Sequence, residues 1–213
     1  MPLYTTEALI LRSYALGESD RIVVFLTRDR GKKRGVAKNA RQSRRRFGGA
    51  LEPLTCGRVA YLERERRDLV RVEYVEPTSS PLLAADGEAL AYVGYFAELI
   101  DEWAPEADPN ESLFRLGASM VDAMVQGVPI EPLARYFEYW LLRLQGVYEA
   151  DDRLSSDAKA FLSAARTSSP FVLGDLQVSA TTLRELEGAH RALIARHLEK
   201  ELKSARVLRE MRR

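Results

Sequence analysis

The chain has 213 residues, 46% of them hydrophobic and 30% charged, a composition that excludes disorder for most of its length and supplies enough apolar mass for a core. No apolar run nears the roughly 20 residues of a membrane span, and the opening Met1–Glu7 has no basic-then-apolar leader pattern. A net charge of +1 conceals a split: residues 1–80 hold 17 Lys and Arg against 10 Asp and Glu, residues 81–150 hold 3 against 12, and residues 151–213 hold 12 against 9. The first part is therefore suited to a polyanion and the middle part is not.

The first eighty residues read as strands. Glu7–Tyr14 is apolar-rich and ends in the turn-forming Leu16-Gly17-Glu18-Ser19-Asp20. Arg21–Thr27 is β-branched and aromatic, Asp29-Arg30-Gly31 is the next turn, and Lys33–Lys38 is a short third strand. Arg58–Glu63 places Val59 and Tyr61 on one face, and Leu69–Val75 places Val70, Val72 and Tyr74 opposite Arg71 and Glu73. Five short strands with a polar insert between the third and fourth fit a small closed barrel, with a three-stranded sheet and loops as the alternative.

From Ala84 the period becomes helical. Leu90, Val93, Phe96, Ala97, Ile100 and Trp103 form a first stripe, and Leu113, Leu116, Met120 and Met124 a second. Ile130, Leu133, Ala134, Phe137, Leu141 and Leu144 form a third, stopped at Gly146. Ser155–Arg166 reads as a short helix, and Thr181–Arg209 as one long charged helix with Leu183, Leu186, Leu193 and Leu202 inward. The pattern predicts an α+β chain, with strands over residues 1–80 and helices over residues 81–213.

Catalytic signals are scarce. Cys56 is the only cysteine, so neither an intramolecular disulfide nor a thiolate zinc site is expected. A reducing cytoplasm is the default compartment. His190 and His197 are seven apart with no nearby cysteine or paired carboxylate, and read as ordinary surface or packed imidazoles. Phosphate-loop, zinc-protease and nucleophile-elbow motifs are absent from the sequence. No cofactor and no metal are expected.

The strongest local feature is Arg28–Arg46, where ten of nineteen residues are Lys or Arg and Asp29 is the only acid. Such density repels itself unless a polyanion neutralises it. Nucleic-acid phosphate is the favoured partner, through Arg21, Lys32, Lys33, Arg34, Lys38, Arg41, Arg44, Arg45 and Arg46; a solvated loop is the plainer reading. Arg64, Arg66 and Arg67 form a second basic group, diluted by Glu63, Glu65 and Asp68, that fits either a flanking DNA loop or a surface hairpin tip. Phe47 is the only aromatic in or beside the basic run, while Tyr14 and Phe25 are assigned to the core, which favours backbone contact over base reading. Opposite the third stripe, Arg135, Tyr136, Tyr139 and Arg143 read either as an exposed partner face or as packing against a neighbouring helix.

Three motifs then become familiar in order and spacing: Gly17-Glu18-Ser19-Asp20-Arg21-Ile22-Val23, Gly31-Lys32-Lys33-Arg34-Gly35-Val36-Ala37-Lys38, and Arg45-Arg46-Phe47-Gly48-Gly49-Ala50-Leu51-Glu52-Pro53. With Arg135-Tyr136-Phe137-Glu138 and Arg196-His197-Leu198 downstream, the chain resembles the bacterial RecO recombination mediators. That resemblance implies an OB-fold (oligonucleotide-binding) five-stranded barrel over residues 1–80 followed by a helical domain over residues 81–213, in a nonenzymatic protein that binds single- and double-stranded DNA and anneals complementary strands. It further implies work with RecR, contact with the acidic C-terminal tail of the single-strand DNA-binding protein, help in loading RecA, and a cytoplasmic, nucleoid-associated location. Many members of that family carry a four-cysteine zinc finger after the central helix; residues 147–177 here contain no Cys or His, so no zinc is carried over. An RNA chaperone, or a DNA-processing enzyme with a dispersed acidic site, are the competing classes.

Overall fold

A computed structural model describes residues 2–64, 68–83 and 87–211. Five strands, β1 (Leu3–Leu16), β2 (Asp20–Thr27), β3 (Lys32–Ala37), β4 (Cys56–Leu62) and β5 (Val70–Ser79), close into a barrel in the order β1-β2-β3-β5-β4. All neighbours are antiparallel except β3 and β5. This is the OB-fold arrangement. The parallel pair needs close approach, and Gly35 permits it: a Cβ there would lie 2.7 Å from Val70 Cγ2 and 2.8 Å from Val72 Cγ2.

Two bulges change which side chains point inward. In β1 the register slips between Ile10 and Arg12. Ala8 and Ile10 face the barrel interior, whereas Leu11 is buried against the helices. Beyond the slip the alternation is inverted, so Tyr14 points outward and is 39% exposed. Strict alternation would have put it in the core with Ile10, which is why the expected core position is wrong. In β5 the register slips again, Ala60 pairing with Tyr74 and Tyr61 with Val72. Val75 consequently takes the inward position expected of Tyr74, which is exposed.

Six helices follow: α1 (Gly87–Trp103), α2 (Glu111–Val125), α3 (Ile130–Leu144), α4 (Ser156–Thr167), α5 (Ala180–Leu198) and α6 (Lys203–Met211). Short polar residues cap three of them, since Asn110, Ser155 and Ser179 side chains accept from the backbone N–H groups of Leu113, Ala158 and Thr182. The expected stripes are buried at their centres, whereas Leu90 at the start of α1 (43%) and Leu144 at the end of α3 (39%) are exposed and Ile130 and Leu193 are half-buried. The single helix expected over 181–209 is broken: Glu199 turns left-handed at φ 53° and the chain doubles back. Glu98 on α1 supplies the reason, because its carboxylate accepts from the N–H groups of Lys203 and Ser204 and so caps α6 against α1. Residues 147–178 form α4 and a 3-10 turn at Pro170–Asp175 that packs Phe161 and Leu173 into the core.

Barrel and helices share one core. Leu9, Leu11, Val24, Leu26, Leu54 and Cys56 of the barrel side pack with α1, α2 and α3 residues, while Ala8, Ile10, Val23, Phe25 and Tyr61 fill the barrel interior. The junction is also polar. Asp101 on α1 is 7% exposed and receives both Arg12 (2.9 Å) and Lys32 (3.2 Å) from the barrel. Among the described residues, no helix is long and apolar enough to cross a membrane.

Candidate nucleic-acid interface

The segment between β3 and β4 is built as an ordered plug. Its entry is tied to the β1–β2 turn: Asp20 Oδ1 accepts from Asn39 N at 2.8 Å, and Ser19 O accepts from Arg41 N at 3.1 Å. Phe47, Ala50 and Leu51 then insert into the barrel core, each 3% exposed or less. Val75 N donates to Arg46 O, and Leu54 N donates to Ile10 O, pinning the exit onto β5 and onto the β1 bulge. Phe47 is thus an anchor, and burial removes it from any contact with bases. Anchoring the backbone by apolar side chains leaves the intervening cations to face solvent.

The nine predicted basic residues divide by partner. Lys38, Arg44 and Arg45 are exposed and have no ion pair or side-chain hydrogen bond among the described residues. Arg41 is exposed, with Nη1 donating to Glu18 O, and Arg34 is exposed, with Nη2 donating to the Tyr14 hydroxyl at 2.8 Å. These five side chains project from β3, the plug and its junction with the β1–β2 turn.

The other four are partly or wholly committed. Arg46 is half-buried, donates to Lys38 O at 2.7 Å and Ser43 Oγ at 3.1 Å, and lies over the Phe47 ring. Arg21 sits half-buried at the barrel rim, donating to Ser13 Oγ. Lys33 pairs with Glu63 at 2.9 Å, and Lys32 is held by the Asp101 carboxylate and carbonyl; both side chains are only 12% exposed. Lys32 and Lys33 are thus engaged in ion pairs within the fold rather than projecting freely to solvent as expected. In the second basic group Arg64 is exposed, whereas Arg66 and Arg67 lie outside the described residues.

The expected exposed face of α3 is overturned. Arg135, Tyr136 and Tyr139 are 3%, 7% and 3% exposed, and only Arg143 faces solvent. Packing against α4 and α5 covers this side, with the Tyr136 hydroxyl near Ser168 O and the Trp140 indole donating to Ala165 O. Arg135 belongs to a buried network: Nη2 lies 2.7 Å from Glu138 Oε1 and Nη1 3.2 Å from Glu187, while Glu138 also accepts from Tyr95 Oη at 2.8 Å. His190 Nδ1 is 3.0 Å from Glu138 Oε2. Burial alone would push the Glu138 carboxyl up; the Arg135 guanidinium and the His190 and Tyr95 hydrogen bonds outweigh it and hold it below the usual range. The signal missed in the sequence was the spacing Arg135–Glu138, an i,i+3 ion pair on a helix.

Comparison with known proteins adds an independent line. The family model described as recombination protein O N terminal matches residues 1–81, and that described as recombination protein O C terminal matches residues 84–149. A curated protein named DNA repair protein RecO from Koribacter versatilis is 44% identical over 145 residues, 68% of this chain and 59% of the relative. Proteins of the same name from Geobacter metallireducens (38% over 151 residues; 71% of this chain, 62% of the relative) and Anaeromyxobacter sp. strain K (40% over 140 residues; 65% and 55%) are similar. The chain spans about three-fifths of the length of these relatives.

Proposed function

The chain belongs to the RecO family, and from that premise we propose that it is a nonenzymatic DNA-binding factor of recombinational repair. It holds single- and double-stranded DNA by the phosphate backbone, anneals complementary strands, and helps RecA load onto DNA coated with single-strand binding protein. The observation that carries this reading is the set of exposed cations Arg34 on β3 and Lys38, Arg41, Arg44 and Arg45 on the anchored insert that follows it. Backbone contact is sequence-independent, which annealing requires, and neutralising two phosphate backbones lowers the repulsion that opposes their pairing.

Residues 1–80 form the DNA-holding part in this proposal, and RecR and the acidic tail of the single-strand binding protein are its protein partners. The tail is not assigned to the α3 face, because Arg135, Tyr136 and Tyr139 are buried there. A location with the nucleoid follows from DNA binding. The test is annealing of complementary oligonucleotides, naked and coated with single-strand binding protein, with and without a chelator. Acceleration that a chelator leaves unchanged is expected. No acceleration, strand scission, or a marked preference for RNA of equal length would overturn the proposal.

A further inference from the structure

The outward half of the β1–β2–β3 sheet carries a feature that phosphate holding leaves unused. Cross-strand pairing sets Tyr14 beside Ile22 and Ile22 beside Val36, in a row just beyond Arg12, Val24 and Arg34. Val24 in the nearer row is buried against the helices, while the Tyr14 row is half-buried to exposed. Arg34 reaches across β2 to fix the Tyr14 hydroxyl at 2.8 Å. Among the described residues neither another aromatic ring nor a guanidinium lies against Tyr14, whereas Tyr4 packs at a tilt against Tyr61 and lies under Arg30. An exposed tyrosine whose hydroxyl is fixed, beside the half-buried apolar Ile22 and Val36, offers a stacking surface for a flat apolar ring.

Charge identifies the ring's source. Three residues after Tyr14 comes the β1–β2 turn onto which the cationic plug is tied through Asn39 and Arg41. Arg34 itself is one of the exposed cations. Tyr74, the other exposed tyrosine of the barrel, lies two residues from Glu76, an exposed carboxylate with no ion pair among the described residues, which would repel a phosphate backbone. We propose that Tyr14 is a base-stacking platform for an unpaired base of single-stranded DNA, held in place by Arg34. This rests on the DNA-binding reading above. It gives the barrel a means to prefer single strands over duplex, because bases within a duplex are already stacked and turned inward.

The experiment measures affinity and salt dependence for an oligo-dT strand and for a duplex of equal length, in parent, Tyr14→Ala, Tyr14→Phe and Arg44→Ala/Arg45→Ala proteins. Tyr14→Ala should weaken single-strand binding at least fivefold, leave duplex binding within twofold, and leave the salt slope unchanged, since a neutral ring releases no counterion. Tyr14→Phe keeps the ring and loses only the Arg34 hydrogen bond, so it should weaken single-strand binding less than Tyr14→Ala does. Tyr14→Ala binding single strands like parent, or losing single-strand and duplex affinity equally, would overturn the platform. If the arginine variant still weakens, the phosphate reading survives that loss; if neither variant weakens, both fail.

Discussion

Arg135→Ala isolates the load carried by the buried network on α3. The guanidinium and the Glu138 carboxylate are 4% and 2% exposed as side chains, 2.7 Å apart. Removing one member of a buried pair strands the other, at a cost of about 3–5 kcal/mol. Tyr95 and His190 still donate to Glu138 after the change, so the lower end, about 3 kcal/mol, is expected. Arg143→Ala, about two helical turns further along α3 and exposed, should stay within about 0.5 kcal/mol of parent. Urea unfolding monitored by circular dichroism measures both. The double change Arg135→Met with Glu138→Gln removes both charges and keeps amide partners for Tyr95 and His190, so it should lose less than Arg135→Ala alone. Because the folded-state Glu138 carboxyl is held below its ordinary 4.5, its contribution is complete above that pH and fades as pH falls through the lower folded value. The gap between parent and Glu138→Gln should therefore close in acid. Arg135→Ala unfolding at the same urea concentration as parent, or Arg143→Ala losing as much as Arg135→Ala, would refute this account of α3.

Other expectations follow from the junction and the core. Burial pushes the Cys56 thiol up to about 12, so a thiol-reactive dye at pH 8 should label the native protein far more slowly than the urea-unfolded one; equal rates would place Cys56 at the surface. Gly31 has φ +68°, and a Cβ there would lie 2.4 Å from Asp108 N, so Gly31→Ala should cost about 2 kcal/mol or more in a urea melt by forcing β3 away from the α1–α2 connection. A change under about 0.5 kcal/mol would mean this contact is not maintained in solution.

Local pattern carried most of the architecture. The five strands, the plug's position, the stripes of α1 to α3 and the short helix α4 follow from alternation, turn residues and helical period, all short-range properties of the chain. What escaped is long-range. The β1 bulge forms because Ile10 pairs with Thr55 and Leu54 from the end of the plug, and nothing near Tyr14 announces it. The break at Glu199 depends on a carboxylate from α1, about a hundred residues earlier. The basic run was visible as charge, but which cations are spent depends on acids elsewhere: Asp101 takes Lys32 and Glu63 takes Lys33. The outer face of α3 looked exposed because one helix's pattern does not reveal that two neighbours, α4 and α5, cover it.

Salt dependence of single-strand binding tests the central assignment most directly. Five exposed cations, Arg34, Lys38, Arg41, Arg44 and Arg45, each neutralising one phosphate, give a log–log slope of about 3.5 in magnitude on single strands and about 4.5 on duplex. Arg44→Ala/Arg45→Ala, which touches no anchor of the plug, should fold normally, bind more weakly and lower the single-strand slope by about 1.4. A folded double variant with parental affinity and an unchanged slope would contradict the claim that this insert holds DNA.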